Sequence, residues 1–151
     1  MTDHYQKYVG KYPYKVDPKF RISILTSWRP KLGEILFLMV SSRQDLPVIK
    51  VLSQESYNKR VESVLTSGKS LMEQDDLLGA LASCCHKASL NEQNKLLVGK
   101  EVAERVGIAP ESNVRLVGRG IYFEIWSEAN FLKMEEYEKS SKKQIDYLGI
   151  L

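Results

Sequence analysis

Cysteine is nearly absent from this chain: two residues in 151, side by side at Cys84 and Cys85. Adjacent thiols cannot build a disulfide framework, and the pair fits a reducing compartment. Histidine is as scarce, at His4 and His86 only. A structural zinc site needs about four ligands, so Cys84-Cys85-His86 is expected to hold packed, inert thiols, with a metal or nucleophilic role as the alternative. No nucleophile, base and orienting group can be assembled from these residues and the scattered carboxylates. Neither an enzyme nor a cofactor, metal or small-molecule substrate is expected. No apolar run approaches the ~18 residues of a membrane span, and the first residues carry no apolar signal region. A cytoplasmic protein of bacterial type, without a membrane partner, is therefore expected.

A large net charge is missing as well, the formal sum being +3. Its distribution is uneven. Lys7, Lys11, Lys15, Lys19, Arg21, Arg29 and Lys31 stand against the single acid Asp17, a local +6, which leaves the remainder slightly acidic. Such a cluster can neutralise phosphates and release counterions, or it can be an ordinary solvated face. An Asp17–Arg21 pair could likewise be a surface ion pair worth only ~0–1 kcal/mol, or a device that orients the guanidinium.

What the chain does contain is a repeat. Asp17-Pro-Lys-Phe-Arg21 runs into the apolar Ile22-Ser-Ile24, and 74 residues later Asn91-Glu-Gln-Asn-Lys95 runs into Leu96-Leu-Val98. The same offset pairs Gly33 with Gly107, Val48–Leu52 with Tyr122–Trp126, and Tyr57 with Phe131. A period of this kind sets the architecture before any local feature does. With 43% hydrophobic residues, each half alone is too small to bury much core, so two halves sharing one core are expected.

Taken in order, residues 1–9 read as a short extension, disordered unless it docks. Tyr12–Val16 reads as an edge strand that tolerates Pro13, and Arg21–Leu25 as a second strand. Ser27 offers an N-cap for one helical turn, with Pro30 inside it, Trp28 and Leu32 on one side and Gly33 as the stop. Ile35–Val40 reads as a strand, Ser41–Pro47 as a loop and Val48–Leu52 as the partner strand. Ser53 caps a helix with Tyr57, Val61, Val64 and Leu65 on one face. A second helix, Leu71–His86, is expected to bury Leu77, Leu78, Leu81, Ala82 and Cys85. The second copy then gives Lys87–Leu90, the Asn91–Lys95 loop, strand Leu96–Val98, a short helix Lys100–Val106 stopped by Gly107, and a hairpin of Val114–Val117 with Ile121–Trp126. Ser127 caps a last helix, and from Ser140 the chain reads as a tail. Trp28 and Trp126 fit core positions better than base-stacking ones. The division expected is 1–9 extension, 10–67 first repeat with its helix, 68–83 linking helix, 84–139 second repeat with its helix, and 140–151 tail.

Gly10 seven residues before Asp-x-x-x-Arg, the second such loop, Arg115-Leu-Val-Gly118 and Phe123-Glu-Ile-Trp-Ser127, in that order and spacing, resemble the MraZ family of bacterial transcriptional regulators over about residues 10–139. The resemblance implies an α+β, β-rich fold: a duplicated AbrB-like swapped-hairpin β-barrel with accessory helices and pseudo-twofold symmetry. It also implies a ring-like homo-oligomer, nucleoid-associated, that binds direct repeats in double-stranded promoter DNA and regulates the division and cell wall operon. Carried over, the DNA-binding residues are Lys15, Asp17, Lys19, Arg21, Asn91 and Lys95, the arginine touching DNA and the aspartate holding the loop. The first loop has Phe20 where the family has glycine. In the second, Asn91, Asn94 and Lys95 replace aspartate, glycine and arginine. Asn94 can still adopt a left-handed conformation, whereas Lys95 keeps charge but loses the planar fork of arginine. The first loop is therefore expected to dominate. These departures also motivate a second reading, an oligomeric protein-interaction module of the same fold without specific DNA recognition.

Overall fold

The computed structural model describes residues 7–149. The fold is α+β, with an antiparallel main sheet and four α-helices among the described residues. Its elements are β1 (Lys11–Lys15), β2 (Arg21–Ser23), a 3₁₀ turn (Thr26–Trp28), β3 (Leu36–Arg43), β4 (Leu46–Ser53), α1 (Gln54–Leu65), α2 (Leu71–Ser83), β5 (Cys85–Ala88), β6 (Lys95–Leu97), α3 (Lys100–Arg105), β7 (Asn113–Gly118), β8 (Phe123–Ser127) and α4 (Glu128–Tyr147). Six strands form one sheet in the order β1-β7-β8-β4-β3-β5, every neighbouring pair antiparallel, and β2 and β6 form a separate two-stranded ribbon.

Alternation along the strands decides what is buried. Ile49, Val51, Phe123, Ile125, Leu116 and Leu38 leave one face of the sheet and meet Ile22 and Leu96 from the ribbon in the main core. The opposite face carries Val48, Val117 and Trp126, which Phe131 and Met134 of α4 cover. Trp28 and Trp126 are both buried, as core positions require. Tyr8, Trp28 and Phe123 pack ring against ring at centroid distances of 5.0 to 5.6 Å.

One expectation left open is decided and several need correction. The segment before β1 docks, the alternative to disorder: Tyr8 and Gly120 exchange backbone hydrogen bonds of 2.9 Å, and Gly118 N–H donates to Gly10 O. Residues 1–6 of the expected extension lie outside the described residues. The turn after β2 ends at Trp28, because Pro30 forces Arg29 to be extended (ψ 132°); Ser27 supplies no cap, and Leu32 is exposed instead of sharing a side with Trp28. No loop spans 41–47. Gln44 and Asp45 both take left-handed backbone (φ 53° and 62°), closing a two-residue hairpin turn whose twist suits the flanking strands.

The helix expected to reach His86 stops at Ser83, since residues 85–88 are claimed by pairing with β3. None of its residues is buried: Leu77 is exposed, and Leu78 and Leu81 are only half-buried. It starts as a strong helix should, Ser70 and Glu73 making a reciprocal capping box. It packs chiefly on α1 and β5, and Leu71, Met72 and Leu77 stay exposed. Residues 140–147 are helix, because nothing in Ser140–Tyr147 breaks it before Gly149 (φ 76°). Ser53 and Ser127 do cap α1 and α4, accepting from the N–H of Ser56 and Asn130.

Candidate nucleic-acid interface

The two loops singled out above fold alike. In the first, Asp17 Oδ1 accepts from the backbone N–H of Lys19 and of Arg21, both at 2.8 Å. In the second, Asn91 Oδ1 accepts from Gln93 N–H at 2.9 Å and Lys95 N–H at 3.0 Å. Backbone bonds close each loop in the same way, Asp17 N–H to Arg21 O and Phe20 N–H to Asp17 O, then Asn91 N–H to Lys95 O and Asn94 N–H to Asn91 O. An acid or amide at the first position suits this turn because its side-chain oxygen takes over bonds the backbone cannot make.

Both loops require a left-handed residue at the fourth position. Phe20 supplies it at φ 59° and Asn94 at φ 60°. Asparagine visits this region readily, while phenylalanine does so at a cost. The Phe20 ring packs against the main core, so its bulk is directed inward. Its carbonyl accepts from Val98 N–H, just as the Asn94 carbonyl accepts from Ile24 N–H, which knits each loop to the strand leaving the other.

The ribbon sets the two loops side by side. Arg21 pairs with Leu97, Ile22 with Leu96 and Ser23 with Lys95. Ile22 and Leu96 are fully buried, so the alternating residues Arg21, Ser23, Lys95 and Leu97 face outward together. Arg21 and Lys95 are diagonal neighbours on that face, their backbones ~7–8 Å apart.

The loops differ in their second side-chain atom. Asp17 Oδ2 accepts from Arg21 Nε at 2.7 Å, fixing the guanidinium. Desolvation acts to raise the Asp17 pKa but is outweighed by the Arg21 N–H, the Arg21 guanidinium and the Lys19 N–H, so it lies below the usual value. An amide at Asn91 cannot do the same for an ammonium. Lys95 has no ion pair or side-chain hydrogen bond among the described residues, and neither do the exposed Lys15 and Lys19. Three other cations of the basic segment are committed elsewhere, Lys11 to Glu135 and Glu138, Lys7 to the Arg29 carbonyl, and Arg29 to the Ile24 carbonyl, while Lys31 is exposed with no such partner among the described residues. All six residues named from the sequence thus sit in or beside the two loops, with Lys15 at the end of β1 leading into the first.

Cys84 and Cys85 are half-buried. Burial, reinforced by Cys84, pushes the Cys85 thiol up to about 11. No group of three His, Cys, Asp or Glu able to hold a metal occurs among the described residues, and His4 lies outside them. What sequence reasoning missed is Glu124, buried on the middle of the sheet and bound by Arg43, Arg119 and Trp126. It lies within Phe123-Glu-Ile-Trp-Ser127, but nothing in that motif marks its burial or its partner Arg43, 81 residues away. Among the described residues, no helix is long and apolar enough to cross a membrane.

Comparison with known proteins extends the motif resemblance over most of the chain. It is 25% identical over 138 residues to the transcriptional regulator MraZ of Rickettsia canadensis, covering 90% of this chain and 89% of that one. It is 23% identical over 144 residues to the transcriptional regulator MraZ of Ureaplasma urealyticum, covering 95% and 93%. Against the transcriptional regulator MraZ of Heliobacterium modesticaldum it is 23% identical over 145 residues, covering 93% and 98%. No family model matches.

Proposed function

Proceeding from that likeness to MraZ transcriptional regulators, we propose that this protein is a non-enzymatic, cytoplasmic, nucleoid-associated regulator that binds direct repeats in double-stranded promoter DNA as a ring-like homo-oligomer, its targets including the division and cell wall operon. The observation that carries the reading is the ribbon: two loops of one geometry deliver Arg21 and Lys95 to a single outward face, with Lys15 and Lys19 beside them and unpaired among the described residues. Cations so placed neutralise phosphates. A guanidinium held by Asp17 adds the planar fork that meets guanine, while Lys95 supplies charge alone.

The strand pairing supports a duplicated, swapped-hairpin architecture of residues 10–67 and 84–139, joined by 68–83. β1 and β5 start 74 residues apart, as do β2 and β6. β1 pairs with the hairpin β7-β8 of the second half, and β5 with the hairpin β3-β4 of the first. The two hairpins meet at the centre through β4 and β8. Self-association is favoured by α2, where Leu71 and Met72 are 83% and 78% exposed. A ring would present the ribbon many times, and matched spacing of DNA repeats would multiply weak contacts.

Binding of Arg21→Ala and Lys95→Ala variants to the upstream DNA, followed across a salt series, tests the reading. A larger loss for Arg21→Ala is expected, with each lost phosphate contact flattening the slope of log affinity against log salt by ~0.9. Equal losses, or none for Arg21, would refute the asymmetry. The uncovered apolar side of α2 equally suits an oligomeric protein-interaction module; failure to retard DNA bearing its own upstream repeats would select that reading.

A further inference from the structure

On the sheet face turned away from the ribbon, β4 and β8 place Lys50 opposite Glu124, and β3 sets Met39 on the other side of Lys50. The flanking Ile49 and Ile125 enter the main core, so Lys50 and Glu124 point away from it. Glu124 is fully buried and its oxygens are occupied. Oε1 accepts from Arg119 Nε at 2.7 Å and Trp126 Nε1 at 3.0 Å, and Oε2 accepts from Arg43 Nε at 3.1 Å with Arg43 Nη2 in ion-pair contact at 3.0 Å. Arg119 turns its Nη1 to Glu138.

Two further cations share this site without such compensation. The Lys50 ammonium lies 5.7 Å and the Arg60 guanidinium 5.1 Å from the centroid of the Tyr122 ring, and the Tyr122 hydroxyl accepts from Arg43 Nη2 at 3.0 Å. Arg60 uses Nη1 for the Ser56 carbonyl and hydroxyl, leaving Nε and Nη2 without a partner among the described residues. Lys50 makes no hydrogen bond or ion pair among them. Four cations therefore meet two carboxylates, Glu124 and Glu138, both of which are taken up by Arg43, Arg119 and Lys11. Burial first, and then the charge of Arg43, pull the Lys50 pKa down; Glu124 opposes this, and Arg60 and Arg119 add to it. A half-buried ammonium with three free donors, crowded by guanidinium groups on an aromatic ring, is a place where an anion relieves repulsion.

We propose that Lys50 and Arg60, over Tyr122 and with Arg43 at the edge, form a binding site for a small phosphate dianion, free or as the terminal phosphate of a metabolite. Its oxygens take the Lys50 ammonium and the open Nε and Nη2 edge of Arg60, the side-on geometry in which a guanidinium binds phosphate. The site lies across the sheet from the ribbon, so its occupant does not compete for Arg21 or Lys95.

The test is thermal unfolding of the full chain titrated with inorganic phosphate, against chloride at matched ionic strength. The midpoint is expected to rise as it does for a ligand that binds only the folded state. Lys50→Met and Arg60→Gln, two variants that keep the aliphatic stems, should each weaken the apparent affinity by roughly tenfold or more, the loss of one charge-assisted hydrogen bond. Lys142→Gln, at an exposed cation outside both sites, should respond like the parent. A parallel titration with glycerol phosphate separates the sources: a response to it assigns phosphate monoesters, and a response to inorganic phosphate alone assigns the free ion. An equal midpoint rise in matched chloride, or an unchanged response in both Lys50→Met and Arg60→Gln, would overturn the proposal. Promoter binding is read in a separate assay, so either reading can fail without the other.

Discussion

Glu124→Gln isolates the charge at the centre of the sheet while preserving its shape. The amide oxygen can keep the bonds from Arg119 Nε and Trp126 Nε1. Its NH2 must then face the Arg43 guanidinium, donor against donor, where a hydrogen bond of 3.1 Å and an ion-pair contact of 3.0 Å stood before. Hydrogen bonds to a charged group contribute ~1.5–3 kcal/mol each, and breaking a buried ion pair costs ~3–5 kcal/mol. Arg43 is 32% exposed and can turn part of its guanidinium to water, which reduces the cost; about 2 kcal/mol is the expected loss. For a chain of this size each kcal/mol shifts the melting temperature by ~2–4 °C, so circular dichroism should record a fall of roughly 4–8 °C. Because Glu124 is fully buried, the difference should persist in high salt, which screens surface pairs and not this one. A melting temperature within about 1 °C of the parent would show that the network contributes no net stability, and the reasoning from burial would be wrong.

Asp17→Asn should keep the first loop folded, since Asn91 makes the same backbone bonds, but free Arg21; fluorescence anisotropy with upstream DNA should report weaker binding, with a small loss of stability near neutral pH. The depressed pKa of Asp17 means its contribution is full above the unfolded value and is lost as pH falls through the folded one, so the parent should lose its advantage over Asp17→Asn below about pH 4 in acid unfolding curves. Gly118→Ala places a methyl 2.4 Å from the Tyr8 carbonyl oxygen; overpacking against backbone should cost ~1–3 kcal/mol, visible as a lower urea midpoint and an exposed Tyr8 by fluorescence. Replacing Leu71, Met72 and Leu77 together by serine should lower the solution mass measured by light scattering without lowering the melting temperature by more than a few degrees, since none is buried in the chain itself.

Local signals were read well where the chemistry is local. Ser53 and Ser127 cap helices because a hydroxyl beside an apolar period can do little else there, and Gly107 ends α3 at φ 79°. The apolar run ending at Val40 and its partner from Val48 are strands, though longer than the pattern suggested, because Gln44-Asp45 lacks the Asn-Gly signature of the turn it makes. What escaped depends on distant partners. Cys85 and His86 continue a helical period, yet pairing with Met39 and Leu38 makes them strand. The leucines of α2 mark an amphipathic face, but periodicity does not reveal what covers it, and among the described residues only Leu78 and Leu81 are partly covered. The six residues named for the interface follow a motif whose loop geometry is plain in the folded chain; the Lys50, Arg60 and Tyr122 cluster has no motif, since strand register and a helix from a different element assemble it.

The pairing of β1 with β7 has a consequence for synthesis. Lys11 must wait for Val117, about 100 residues of chain, before its partner leaves the ribosome. At ~5–20 residues per second the nascent strand stays solitary for roughly 5–20 s, and such distant closure is slow even once both ends are present. Pro13, in the middle of that strand, withholds an N–H from any neighbouring nascent chain that would otherwise template on it. The residue that leaves the finished edge one donor short therefore protects the unfinished strand as well.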